Sequence, residues 1–72
     1  MLRIRTITPA VAADRLRALG MSTSADTIRC GIQQGVFPFG IYIDRDGRPV
    51  YQIFEKEFNE WIRKKAEEED EH

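Results

Sequence analysis

The chain has 72 residues, of which 42% are hydrophobic and 32% are charged, and its formal net charge is −1. This size allows one small domain with little room for a buried enzyme pocket, and the composition is typical of a folded chain. No apolar run approaches the roughly 20 residues that span a bilayer, and a single cysteine, Cys30, excludes an internal disulfide and a multi-cysteine zinc site. We therefore expect a cytoplasmic protein that makes no contact with a membrane.

The net charge hides an uneven distribution along the chain. Residues 1–65 contain 11 Lys and Arg against 7 Asp and Glu, a balance of +4, whereas residues 66–72 contain five acids and no Lys or Arg. We expect a mildly basic domain over 1–65 and an acidic, frayed tail over 66–72. Such a tail is either a solvated end or a competitor of phosphate groups for the basic domain.

The first residues alternate between apolar and basic side chains. Leu2, Ile4 and Thr6 are separated by Arg3 and Arg5, which is the period of a strand. The segment is short, so we expect either an edge strand or an arm against the core. The arginines then face solvent, where they are also able to touch a phosphate backbone.

The first helix is bounded by clear start and stop signals. Thr8 is a good N-cap, Pro9 is well tolerated at the first helical position, and Gly20 fits the left-handed residue that ends a helix. The spacing i, i+4, i+7 predicts one apolar face that consists of Ala12, Leu16 and Leu19, with Ala13 at its edge.

A second helix is predicted within Ser22–Gln34 and ends at Gly35. Ile28 and Ile32 form its narrow apolar stripe, and either Thr23, in a capping box with Asp26, or Ser24 provides the cap.

Gly31 is an unfavourable residue inside this helix, costing about 1 kcal/mol relative to alanine. Its missing side chain indicates a close approach, by the first helix or by a phosphate, and we favour the first helix. Phe37-Pro38-Phe39-Gly40 must be extended, because the residue before proline avoids the helical region. We expect both phenylalanines to fill the core, with stacking on an unpaired base as the alternative.

The last part of the chain predicts a hairpin followed by a helix. Ile41–Ile43 and Val50–Ile53 are β-rich runs with Asp46-Gly47 as the turn between them. A third apolar face follows at helical spacing, made by Phe54, Phe58, Trp61 and Ile62. The order helix–turn–helix, two-stranded β-hairpin wing, C-terminal helix predicts a small α+β domain of the winged helix-turn-helix class.

The polar residues of the second helix and of the hairpin are the candidate site. Arg29 matches the acceptors of guanine or a phosphate, Gln33 matches adenine, and Thr27 and the capping serines suit phosphate contacts. The arginines that bracket the turn suit a phosphate or a narrow minor groove. In the free protein we expect Asp44 and Asp46 to pair with these arginines. The candidate DNA-binding residues are Ser24, Thr27, Arg29, Gln33, Gln34, Arg45 and Arg48.

Catalysis and metal binding have little support. His72 is the only histidine, Cys30 has no histidine partner, and no glycine-rich phosphate loop is present. Asp44-Arg45-Asp46-Gly47 is similar to the start of a calcium loop, but Arg48 stands where an oxygen ligand is needed. We therefore expect no enzyme, no metal and no cofactor.

The order TPAVAADRLRALGMS, TIRCGIQQGVFPFG, hairpin and YQIFEKEFNEWI resembles the excisionase-like, MerR-type winged-helix DNA-binding proteins of phages and integrative elements. The resemblance covers nearly all of the chain except the acidic tail. It departs from the family at Gly31, where a larger apolar residue is usual, and in the longer turn at Ser22–Asp26. The resemblance implies a second helix in the major groove and a wing on the minor groove, through Thr27, Arg29, Gln33, Arg45 and Arg48.

The resemblance further implies a role in excision by an integrase or recombinase, or in regulation at a phage promoter. Few base contacts are available to a domain of this size, so we expect self-association on repeated DNA sites as a remedy. The alternative is a protein-interaction module that docks through the C-terminal helix. A steep loss of affinity with salt distinguishes DNA binding from this alternative.

Overall fold

The computed structural model describes residues 1–66, and the predicted acidic tail lies outside these described residues except for Ala66. The described chain is a small α+β domain with three helices and a three-stranded antiparallel sheet. None of its helices is long and apolar enough to cross a membrane. The elements are β1 (Thr6–Ile7), α1 (Pro9–Ala18), α2 (Ala25–Gln33), β2 (Gly40–Arg45), β3 (Arg48–Phe54) and α3 (Glu55–Lys65).

The helix α1 begins as the sequence predicts. The Val11 N–H donates to Thr8 Oγ1 at 3.1 Å, and Pro9 occupies the first helical position. Ala12, Ala13 and Leu16 are buried, but Leu19 is 64% exposed. The expectation that Leu19 belongs to the buried face is wrong because the helix ends at Ala18, so Leu19 follows the cap geometry instead of the helical period.

The helix α2 is capped by Ser24, which settles the choice left open by the sequence. The Thr27 N–H donates to Ser24 Oγ at 3.3 Å, whereas Thr23 Oγ1 is buried without a partner among the described residues. Ile28 and Ile32 are both buried in the core, as predicted. Gly35 has φ +73°, the left-handed conformation expected after a helix end.

The sheet has the order β1-β3-β2, so the hairpin β2–β3 is joined by a short third strand. Arg45 pairs with Arg48 and leaves Asp46 and Gly47 as a two-residue turn. Their φ angles are +52° and +78°, as a type I′ turn requires. The predicted hairpin is therefore confirmed, with each strand one or two residues longer at each end than the β-rich run.

The N-terminal strand is shorter than the alternation suggests. Only Thr6 and Ile7 pair with β3, and the Glu55 N–H donates to the Arg5 carbonyl at 2.9 Å just beyond the ladder. Leu2 and Ile4 are 100% and 80% exposed. Residues 1–5, which we call the arm, therefore leave the sheet without covering the core of their own chain.

Aromatic rings join α2, the sheet and α3. Phe39 and Phe58 are fully buried and meet edge to face, with ring centroids 5.0 Å apart. Phe37 stacks on Phe39 at 5.1 Å and contacts the edge of Trp61 at 5.7 Å. Both phenylalanines of the Phe-Pro-Phe segment pack in or against the core, as expected.

Gly31 accommodates the Phe37 ring. A Cβ at Gly31 would overlap with the Cδ2 and Cε2 atoms of Phe37. The preference for the first helix as the closely approaching group is therefore wrong. Phe37 lies only six residues downstream, and the turn after α2 folds it back onto the helix: the Phe37 and Val36 N–H groups both donate to the Gly31 carbonyl.

Candidate nucleic-acid interface

The exposed face of α2 is polar and lies opposite its buried isoleucines. With Ile28 and Ile32 in the core, the 100° spacing of a helix puts Cys30 at the centre of the outer face. Asp26, Thr27, Cys30, Gln33 and Gln34 are all exposed. The helix therefore presents hydroxyl, amide and carboxylate groups on a surface that is open to a partner. Gln34 takes the C-cap position, at the far end of this surface.

Ser24 and Thr27 form one unit at the start of α2. Their hydroxyl oxygens lie 3.1 Å apart, in addition to the bond between the Thr27 N–H and Ser24 Oγ. Both residues are exposed at a helix N-terminus, where backbone N–H groups favour anions. Their position suits a phosphate, although the carboxylate of Asp26 lies in the same first turn and opposes one.

Arg29 lies at the flank of the exposed face rather than at its centre. Its Nη1 atom donates to Asp26 Oδ1 at 2.6 Å, one turn earlier on the same helix. The Arg29 side chain is 41% exposed and that of Asp26 is 91% exposed. This is a solvent-screened pair, which costs little to open when a stronger acceptor arrives.

Gln33 connects the exposed face of α2 to the hairpin. Its Nε2 atom donates to the Tyr51 hydroxyl at 2.6 Å, and the Tyr51 ring packs against Tyr42 with centroids 5.4 Å apart. Because an amide carries two N–H groups and a carbonyl oxygen, Gln33 keeps one donor and its acceptor for a ligand. The contact fixes the direction in which the amide points.

The tip of the hairpin carries two arginines that face each other. Arg45 and Arg48 are the last cross-strand pair before the turn, and both are exposed. Like charges directly opposite in a sheet destabilise it. Within residues 1–66 neither arginine belongs to an ion pair, since the pairs present there are Arg15–Glu55, Arg17–Asp14 and Arg29–Asp26.

The acids of the turn have a different role from the one expected. We anticipated that Asp44 and Asp46 pair with the arginines beside them. Instead, Asp44 Oδ1 accepts the Gly47 N–H at 3.1 Å, and Asp46 adopts the left-handed conformation of the turn. The expectation is wrong because the tight turn directs the Asp44 carboxylate to its own backbone.

The structure thus brings the second-helix candidates to one surface and the two arginines to the hairpin tip. The bond between Gln33 and Tyr51 joins α2 to β3. Sequence reasoning missed Tyr51 and the central position of Cys30. The Asp46-Gly47 turn alone determines the register that places Tyr42 opposite Tyr51. Likewise, the spacing of the isoleucines is enough to place Cys30 opposite the core. The contact between Gln33 and Tyr51 has no counterpart in local sequence.

Comparison with family models, with curated proteins and with solved structures finds no match for this chain.

Proposed function

We propose that the protein is a winged helix-turn-helix module that binds double-stranded DNA, with α2 in the major groove and the β2–β3 hairpin as the wing. The observation that carries the proposal is the pair of exposed arginines, Arg45 and Arg48, placed opposite each other at a two-residue turn. Their mutual repulsion is relieved when an anion binds between or beside them. Phosphates of a DNA backbone supply such anions at regular spacing.

The connection between helix and hairpin supports the same proposal. Gln33 bonds to Tyr51 of β3, so the surface of α2 and the hairpin are held in one arrangement. An α-helix fits the major groove, and an amide such as that of Gln33 is able to pair with the N6 and N7 atoms of adenine. Ser24 and Thr27 are suited to the flanking phosphates, which set the register of the helix.

Charge gives further support. The domain from residue 1 to residue 65 has a net charge of +4, although the net charge of the whole chain is −1.

We propose that the biological role is to assist excision by an integrase or recombinase, or to regulate a phage-type promoter. These two roles share one mode of DNA binding.

A protein-interaction module that docks through α3 has less support. Phe58 is fully buried, and Trp61 and Ile62 pack against the core. The apolar face of α3 is therefore largely occupied within the chain itself, and docking a partner there would require it to leave the core.

The proposal is tested by duplex binding across a series of salt concentrations. We expect R45A/R48A to weaken binding between about 10-fold and 100-fold near 0.1 M salt and to lower the salt slope by about 2, as the loss of two phosphate contacts predicts. The control is K56A/K64A, which removes the same charge from exposed positions on α3. Equal effects of the two variants, or wild-type binding that does not depend on salt, would contradict the proposal.

A further inference from the structure

The hairpin has an outer face that the fold leaves uncovered. Gly40 and Ile53 pair at the helix side of the sheet, where a Cβ on Gly40 would meet Ile32, so residues that alternate with them point away from the helices. This outer face carries Ile41 and Ile43, which are 43% and 50% exposed. Contacts with DNA phosphates do not explain why a wing exposes two isoleucines, because an apolar side chain cannot bind a phosphate.

The strand β2 also has a free edge. In the sheet order β1-β3-β2, β2 pairs with β3 on one side and with no other strand of the described residues on the other. An edge strand presents unpaired N–H and C=O groups, which are a template for another extended segment. Apolar surface and backbone pairing capacity therefore coincide on β2.

The arm has the complementary pattern. Leu2 and Ile4 are exposed, and Arg3 and Arg5 alternate with them. When the arm lies as a strand beside β2, the alternation of side chains along a strand places Leu2 and Ile4 on one face and the two arginines on the other. The first face matches the exposed isoleucines of β2.

The charges match on the opposite face. Tyr42 and Asp44 alternate with the isoleucines of β2, so they share the side on which Arg3 and Arg5 of an added arm would lie. Asp44 supplies the carboxylate oxygen that does not accept the Gly47 N–H, and the Tyr42 ring supplies an aromatic face that attracts a guanidinium.

The arm is on the wrong side of the sheet to reach its own β2. β3 separates β1 from β2, and the arm leaves the sheet at Thr6, opposite Phe54 and far from the hairpin tip. The exposure of Leu2 and Ile4 agrees with an arm that is not folded back on its own hairpin.

We propose that the arm of one copy of this chain adds as a strand to the free edge of β2 in a second copy. Because the arm and the edge are different surfaces, the contact is head-to-tail, and a pair of copies retains one free arm and one free edge. An added strand of five residues makes a small interface, so the association is weak and transient in free solution. The contact involves neither the α2 surface nor DNA, and its failure leaves the DNA-binding proposal untouched.

The test uses three double variants of the full chain with threonine at exposed apolar positions. L2T/I4T changes the arm, I41T/I43T changes the edge, and the matched control L19T/V36T changes two exposed apolar residues elsewhere. Sedimentation from micromolar to millimolar concentration should show self-association of the wild type and the control. The arm and edge variants should associate at least tenfold more weakly. A wild type that stays at 8.4 kDa throughout would overturn the proposal.

A mixing experiment separates the head-to-tail contact from a symmetric one. The arm variant keeps an intact edge and the edge variant keeps an intact arm, so together they form one heterodimer. Adding the unlabelled edge variant to the ¹⁵N-labelled arm variant should shift the amide signals of β2, and reverse labelling should shift those of residues 2–5. Absence of these shifts, with the fold of both variants verified from the remaining signals, would overturn the proposal.

Discussion

Gly31 is a glycine because the Phe37 ring occupies the space of its side chain. Inside a helix, glycine costs about 1 kcal/mol relative to alanine. In return, Phe37 lies against α2 while it stacks on Phe39 and contacts Trp61. The local cost is therefore offset by aromatic packing that fixes the end of α2 to α3 and the sheet.

We expect G31A to destabilise the domain by about 1–2 kcal/mol, since displacing a packed ring outweighs the gain in helix propensity. In an F37A background the same substitution should stabilise by about 0.5–1 kcal/mol, because the space is then open. Urea denaturation followed by helical circular dichroism gives both differences. A G31A effect of the same sign in both backgrounds would show that Phe37 is not the reason for the glycine.

The bond between Gln33 and Tyr51 makes a second prediction at this scale, and it depends on the proposed function. Y51F removes the acceptor of the Gln33 Nε2 proton and frees the amide. We expect a loss of discrimination at one adenine position of the preferred duplex of about 1 kcal/mol, or roughly fivefold. In a Q33A background, Y51F should have no further effect. Additive losses of discrimination in competition binding would show that Gln33 and Tyr51 act independently, which would contradict the prediction.

The hairpin is the element whose geometry depends most on two residues. Asp46 and Gly47 both have positive φ, and the Gly47 N–H is held by Asp44. We expect G47A to destabilise the domain by about 1 kcal/mol, since a Cβ is strained at this φ. D46N is the control and should change stability by less than about 0.5 kcal/mol, because asparagine tolerates the left-handed region. Thermal unfolding of the three proteins measures these differences, and equal stability would contradict the turn assignment.

Elements that are governed by local sequence were predictable. Thr8 and Pro9 start α1, Gly35 follows α2, and the Asp46-Gly47 pair determines the hairpin register, because caps and tight turns depend on a few neighbouring residues. The order of the helices and strands follows from these signals.

Features that depend on contacts between elements were not predictable. The tyrosine that holds Gln33 is 18 residues away in sequence, so no local pattern indicates this contact. The candidate site divides in the same way. The arginines of the turn follow from local pattern, while the partners that orient α2 come from the tertiary structure.

At the scale of the whole molecule, the candidate DNA-binding residues lie on α2 and on the hairpin that follows it in the chain. The α2 surface supplies groups able to read bases, and the hairpin supplies paired arginines, with Tyr51 linking the two. A balance of +4 over residues 1–65 attracts a polyanion, whereas the five acids in residues 66–72 reduce that attraction. We therefore expect binding through these two elements and not through positive charge in general.

The most direct test is a titration of the ¹⁵N-labelled full chain with a DNA duplex, followed by amide chemical shifts. We predict that the largest changes occur in α2, at Thr27 and Gln33, and at the hairpin tip, at Gly47 and Arg48. The amides of α3 around Asn59 should change least. Changes that are confined to α3, or no change with any duplex at low salt, would contradict the central claim.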